Sequence, residues 1–155
     1  MKLYTILKPE LIKRDCFSSN KEDLLKEIIH ELKLHDKISN DKLAIKKLIE
    51  REKLGSTSIG NSSAVPHTKI RELKEPVIFV AISRNGILYN ENDKKLVNFI
   101  ALILSPIDSP IIHLQILAAA ASLIKKSNKL IKELISAETD EKVIDIIKKY
   151  EILDD

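Results

Sequence analysis

Of the four histidines in this 155-residue chain, His67 has the neighbours that a reactive imidazole needs. It lies near the end of "REKLGSTSIGNSSAVPHTKI", residues 51–70, a stretch with two of the three glycines and a run of hydroxyl and amide side chains. Spacing separates three chemistries for such a loop. A Walker phosphate loop ends in Gly-Lys-Ser/Thr at a helix start, and "GSTSIGNSS" has no lysine. A nucleophile elbow reads Gly-x-Ser-x-Gly, whereas Ser58 has Ser56 where the first glycine belongs. In the third, His67 is itself the nucleophile, because a neutral imidazole near pH 7 can take up a phosphoryl group and pass it on.

Phosphoryl transfer asks a protein mainly for positioning and charge stabilisation. Glycines let backbone N–H groups approach phosphate oxygens, and Ser56, Thr57, Ser58, Asn61, Ser62 and Ser63 add side-chain donors. Ser56, Thr57 and Asn61 are the phosphate-binding candidates. Pro66 stiffens the approach to His67 by fixing its own φ and restricting Val65. Arg51 offers a planar fork of donors to an anion. His113 falls in the first turn of an expected helix, where unpaired N–H groups favour an anion. Two readings of it stay open: a core histidine bonded to backbone, or a second functional imidazole. His30 and His35, on or just after a charged helix, read as surface residues. A zinc site on His67 and His113 lacks a third ligand at a recognisable spacing, so neither metal nor cofactor is expected. Cys16, the single cysteine, reads as an inert thiol.

These residues must be held by alternating elements. "KLYTI" has the look of a short edge strand. Ser19 and Glu22 have capping-box spacing before a helical repeat at Leu24, Leu25, Ile28, Ile29 and Leu32, predicting a helix from about Glu22 to Leu34. A second helix follows Asn40 and stops at Gly55, with Arg51 and Lys53 in its basic last turn. "PVIFVAIS" and "LVNFIALIL" predict central strands, with Asn85-Gly86 as a tight hairpin turn leading into a short strand at Ile87 to Tyr89. "DSPIIHLQILAAAASLIKK" predicts a long helix with Ser109 at the N-cap and Pro110 at its first position. Helices near Asn128 to Ile135 and, capped by Thr139, Asp140 to Tyr150 close the chain. The pattern predicts an α/β fold, a mixed β-sheet sandwiched between helices, over residues 1–155 as a single domain.

Composition narrows the function classes. A net charge of +3 spread over interspersed Lys, Arg, Asp and Glu describes solvated helix faces. With 4% aromatics and no Trp, the chain does not suit nucleic acid, which wants a basic stripe and stacking rings. No apolar run reaches the roughly 18 residues of a membrane span, and "MKLYTILKPEL" lacks a signal peptide's apolar stretch. A cytoplasmic protein with no direct membrane insertion is expected.

The block from Arg51-Glu52 to Pro66-His67 resembles the signature of enzyme IIA proteins of the phosphoenolpyruvate-dependent sugar phosphotransferase system, in the mannitol/fructose class that includes nitrogen-regulatory IIA proteins. The resemblance runs from about Leu3 to Glu151, through paired strands with Asp93 between them and the "HLQILAAAASLI" helix. It implies that His67 accepts a phosphoryl group from an HPr-type phosphocarrier and passes it to a IIB domain, or signals to a target protein by its phosphorylation state. Arg51 matches the family's active-site arginine, His113 its second active-site histidine and Thr57 a position in its glycine loop. The nitrogen-regulatory type is the favoured expectation, a fructose or mannitol permease IIA the alternative, and a metal-dependent hydrolase the remote one. Ser58 and Ser62 replace glycines of the usual family loop, and Ser63 an aliphatic residue, which puts the loop's geometry in question.

Overall fold

In the computed structural model, which describes residues 1–153, two long strands form the spine of the fold. β5 (Val77–Leu88) and β6 (Leu96–Pro106) pair antiparallel, from Val77 opposite Leu104 to Leu88 opposite Leu96. Their β-branched and aromatic residues lack polar alternation because helices cover both faces of the sheet. β1 (Ile12–Lys13) lies parallel to β5 on one side. On the other side β3 (Ser63–Ala64) and β4 (His67–Ile70) run one after the other, parallel to β6, and β2 (Ser58–Gly60) pairs antiparallel with β3. The sheet is therefore mixed and six-stranded, with β5 and β6 central as their composition predicts.

Alternation along the strands divides the core. Ile78, Val80 and Ile82 of β5, with Phe99, Ala101 and Ile103 of β6, pack beneath α3 (Pro110–Lys125), α4 (Lys129–Ser136) and α5 (Asp140–Ile152). Val77, Phe79 and Ala81, with Ile100, Leu102 and Leu104, pack beneath α1 (Lys21–Leu34) and α2 (Asp41–Lys53). The larger of these side chains, Val, Leu, Ile and Phe, contribute roughly 1.5–3 kcal/mol each when fully buried. Helix–sheet–helix layering follows, as the period of two in the strands requires.

Three local expectations change. "KLYTI" forms a 3₁₀ turn, Leu3–Thr5, because the Glu151 carboxylate accepts the Leu3 and Tyr4 N–H groups at 2.7 and 2.8 Å and draws them toward α5. The cap of α1 is Asn20, whose side chain accepts from Asp23 N at 2.9 Å, and not Ser19. Asn85-Gly86 is not a hairpin turn. It interrupts the pairing inside β5, between Ile82 and Ile87, and the chain reverses after Leu88. Gly86, at φ +84, lies so close to Leu96 that an added Cβ would come within 2.7 Å of the Leu96 Cβ, so the interruption itself needs glycine.

Candidate functional site

The site is built where α2 hands the chain to the sheet edge. Arg51, in the last turn of α2, donates through Nη1 to the Gly55 carbonyl at 2.9 Å. Its neighbour Glu52 points inward, for Ala44, Leu48 and Glu52 are the buried positions of α2, four residues apart. The Glu52 carboxylate accepts Thr57 N at 3.2 Å and Thr57 Oγ1 at 2.5 Å, and pairs with Lys21 Nζ at 3.6 Å. Because Thr57 gives its one hydroxyl proton to a carboxylate, Tyr89 Oη must donate to Thr57 Oγ1, 2.8 Å away. Burial, with the nearby Glu52 charge, holds the Tyr89 phenol well above its ordinary pKa, so that proton stays in place.

Beyond Thr57, β2 and β3 form a hairpin closed by Asn61-Ser62. Both residues take positive φ, 49° and 55°, the pattern of a type I′ turn that suits the twist of its strands. Asn61 Nδ2 reaches across to the end of α3, donating to the Ile124 carbonyl at 2.7 Å and the Ser127 carbonyl at 3.3 Å. Ser63 Oγ donates to the Asn61 carbonyl at 2.9 Å. Val65-Pro66 then joins β3 to β4. Pro66 has no N–H to give, and its carbonyl accepts from Ile103 N at 2.9 Å.

His67 opens β4 opposite Ile103, half-buried. Its Nδ1 lies 2.7 Å from the Val65 carbonyl. A carbonyl only accepts, so the proton sits on Nδ1 and the lone pair on Nε2. Burial, helped by the Arg51 guanidinium, holds His67 below the ordinary imidazole pKa against the opposite pull of the Val65 carbonyl and Glu52. A neutral ring with an available Nε2 is the nucleophilic form.

His113 stands in the first turn of α3, buried, with its ring centroid 5.5 Å from that of His67 and the planes tilted by 56°. Its side chain bonds to a side chain rather than to backbone: Nδ1 lies 2.6 Å from Ser105 Oγ on β6. Burial, with His67 and the Lys69 ammonium adding to it, pushes its pKa down to about 4.

The structure thus brings His67 and His113 together and sets Arg51 close enough to act on His67 electrostatically. Ser56 is exposed, its hydroxyl accepting from Ser58 N at 3.1 Å. The Thr57 and Asn61 side chains bond to Glu52 with Tyr89 and to the α3 end. His30 and His35 are exposed, as expected. Three residues at or beside the site had gone unmarked: Glu52, Tyr89 and Ser105. Glu52 and Ser105 carry a legible signal, since each is a polar residue on an apolar face, Glu52 in step with Ala44 and Leu48, Ser105 with Ala101 and Ile103. Among the described residues no group of three His, Cys, Asp or Glu side chains is arranged to hold a metal, and no helix is long and apolar enough to cross a membrane.

The profile of one family, described as phosphoenolpyruvate-dependent sugar phosphotransferase system, EIIA 2, matches residues 5–150. The chain belongs to this EIIA family. Among relatives of this EIIA, a protein named PTS system fructose-specific EIIABC component, from Bacillus subtilis, is 30% identical over 152 residues, covering 97% of the chain but 24% of that protein. The crystal structure of nitrogen regulatory protein IIA-Ntr from Neisseria meningitidis is 26% identical, with a TM-score of 0.81 and coverage of 94% of this chain and 98% of that one. The fold is also that of the Escherichia coli mannitol enzyme IIA, solved in complex with phosphorylated mannitol enzyme IIB, with a TM-score of 0.75, 18% identity and coverage of 92% and 97%. The loop of this EIIA departs from the usual family glycines in two different ways. Ser62 takes the left-handed conformation that glycine would supply, and Ser58 does not need it.

Proposed function

We propose that His67 is the phosphoryl carrier of this EIIA. Its Nε2 lone pair attacks the phosphorus of a phosphohistidine on an HPr-type phosphocarrier. As the new N–P bond forms, the donor's N–P bond breaks and its electron pair returns to the donor imidazole. The same exchange in reverse sense passes the group to an acceptor, so neither water nor cofactor is consumed. One observation carries this reading: the Val65 carbonyl holds the His67 proton on Nδ1 and leaves Nε2 as the nucleophile. Around it, Arg51 neutralises developing negative charge, His113 donates a hydrogen bond to the phosphoryl group, and Ser56 lies on the exposed rim of the loop. Thr57 and Asn61 serve the site from a distance, by fixing the chain that leads from Arg51 to His67.

A protein partner is supported by the rim. Ile107, Ile111, Ile112 and Leu114, on the approach to α3 and flanking His113 in its first turns, are all exposed. Exposed aliphatic side chains grouped beside a reactive imidazole favour a macromolecular donor and acceptor. Placed in the cytoplasm as one domain over residues 1–155, the protein would serve as a regulator of the nitrogen-regulatory type, which the near-complete overlap with the Neisseria protein favours. The second reading, a IIA feeding a fructose or mannitol permease through a IIB domain, is favoured by 30% identity to the fructose-specific Bacillus protein.

The test is to incubate the protein with phosphoenolpyruvate, enzyme I and HPr and to measure acid-labile phosphate. Wild type takes the label and His67→Ala does not; equal labelling of both would overturn the proposal. Rapid transfer onward to a IIB domain selects the permease role. Retention of the phosphate, with changed affinity for another protein, selects the regulatory one.

A further inference from the structure

The two imidazoles at the site have different partners, and the difference sets their protons. His67 Nδ1 faces a backbone carbonyl, an acceptor only. His113 Nδ1 faces the Ser105 hydroxyl, which can donate or accept. We propose that Ser105 is a positioning residue for His113: its hydroxyl donates to His113 Nδ1 and thereby fixes His113 as the Nε2–H tautomer, which presents an N–H to the phosphoryl group on His67. This rests on the phosphoryl-carrier reading above.

Burial decides the direction of the bond. Ser105 is fully buried on β6, in register with Lys69 of β4, and among the described residues its hydroxyl has no side-chain hydrogen-bond partner except His113. If His113 carried its proton on Nδ1, that proton would go to Ser105 Oγ. The serine proton would then be left without an acceptor in a dry strand. With the proton on Nε2, the serine proton is satisfied by Nδ1, and the only N–H left over is His113 Nε2–H at the site. An unmet buried donor costs more than an unfilled lone pair, so the second arrangement holds. The depressed pKa of His113 keeps the ring neutral at pH 7, the state in which a choice of tautomer exists.

The consequence is a complementary pair. His67 presents a lone pair at Nε2 and His113 an N–H at Nε2, with the ring centroids 5.5 Å apart. Nucleophile and hydrogen-bond donor are thereby assigned without either ring being charged. The opposite tautomer of His113 would turn a lone pair toward anionic oxygens and repel them. His113 Nε2 keeps its proton throughout the transfer, and Ser105 touches neither phosphorus nor nucleophile.

Imidazole nitrogens are distinguished by long-range ¹H–¹⁵N correlation spectra of the uniformly ¹⁵N-labelled, unphosphorylated protein at pH 7. Wild type is expected to show His67 protonated at Nδ1 and His113 protonated at Nε2. In Ser105→Ala the His113 signals move to a mixture of tautomers, and phosphoryl uptake from phospho-HPr slows about tenfold at saturation with little change in KM. Ser105→Thr restores both the tautomer and the rate. A wild-type His113 protonated at Nδ1 overturns the proposal, as does a Ser105→Ala protein with unaltered tautomer and rate. Should Ser105→Ala fail to fold, the wild-type spectrum and Ser105→Thr still decide. If wild type takes no label at His67, the carrier reading falls, while the tautomer spectrum still tests what Ser105 does to His113.

Discussion

The two walls of the site are built by opposite means. On the sheet wall, His67 and His113 project from β4 and α3, each anchored by one hydrogen bond at Nδ1. On the loop wall, three of the small polar residues after Arg51 bond to the protein around them, Thr57 to Glu52 and Tyr89, Asn61 to the Ile124 and Ser127 carbonyls and Ser63 to its own turn, while Ser56 stays exposed. The hydroxyl and amide groups clustered before His67 in the sequence thus hold the backbone of their own loop in place. Substitutions on the sheet wall should therefore lower the transfer rate with the fold kept, whereas substitutions on the loop wall should lower stability first. Arg51 is the exception that joins them, a loop-wall residue that among the described residues spends one of its five N–H donors, on Gly55.

The largest expected effects fall on charge stabilisation at His67. Arg51→Ala and His113→Ala should each slow uptake from phospho-HPr by about 10²-fold, the usual loss when one preorganised donor is removed, with far-UV circular dichroism unchanged. Rapid-quench measurement of acid-labile phosphate reads the rate. Wild-type rates in both variants would mean that the histidine wall works with His67 alone, and the contrast between the walls would collapse.

Acid should act on the sheet wall through the same histidines. His113 falls from 6.5 to about 4 on folding, so it is neutral in the native state and protonates more readily when unfolded. With the folded pKa the lower one, this residue's contribution to stability is complete above pH 6.5 and is lost as pH falls toward 4. His67 is shifted in the same direction and adds to the loss. Urea unfolding of wild type at pH 7 and pH 4.5, set against His113→Gln, checks the sign. The variant should lose less stability over that interval, and an equal loss in both would show that the buried imidazole is not what acid attacks.

Much of this division was written in the sequence, though not where side chains compete for partners. The central strands and the helix ends at Asn40 and Thr139 follow from periodicity and capping, because those are local. The turn at Asn61-Ser62 looked like loop because two short strands, β2 and β3, owe their existence to pairing with each other and with β6, a long-range fact. "KLYTI" has a strand's composition, but Glu151, at the other end of the chain, takes its N–H groups. Residue type points to Thr57 and Asn61 as phosphate donors, and for Thr57 the family resemblance does too. What a hydroxyl or amide bonds to depends on neighbours that spacing does not reveal: Tyr89, 32 residues further along, and the carbonyls that end α3.

Thr57 gives the loop wall its sharpest test. Thr57→Val keeps the shape but removes the hydroxyl that donates to Glu52 and accepts from Tyr89, leaving a buried carboxylate short of one donor and a phenol short of its acceptor. The expected cost is about 2 kcal/mol of stability, read as a lower urea midpoint. Labelling at His67 should remain, slowed a few-fold at most. A Thr57→Val protein of wild-type stability that takes no label would place Thr57 on the phosphate and blur the distinction between walls.

The smallest effect concerns Ser62, which shares positive φ with Asn61 but lacks asparagine's tolerance for it. Ser62 holds φ at 55°, a region that costs a side-chain-bearing residue about 1 kcal/mol. Its carbonyl is fixed there by Asn98 N and Phe99 N at 2.8 and 3.1 Å, so the strand β6 keeps the turn in that conformation. Ser62→Gly removes the strain but loosens the unfolded chain, and the two effects oppose each other. A net gain of about 0.5 kcal/mol in urea unfolding is expected, with an unchanged transfer rate. Because no side-chain bond of Ser62 enters the loop wall, a Gly variant that instead changed the rate at constant stability would mean that the turn's mobility, and not only its shape, limits phosphoryl transfer.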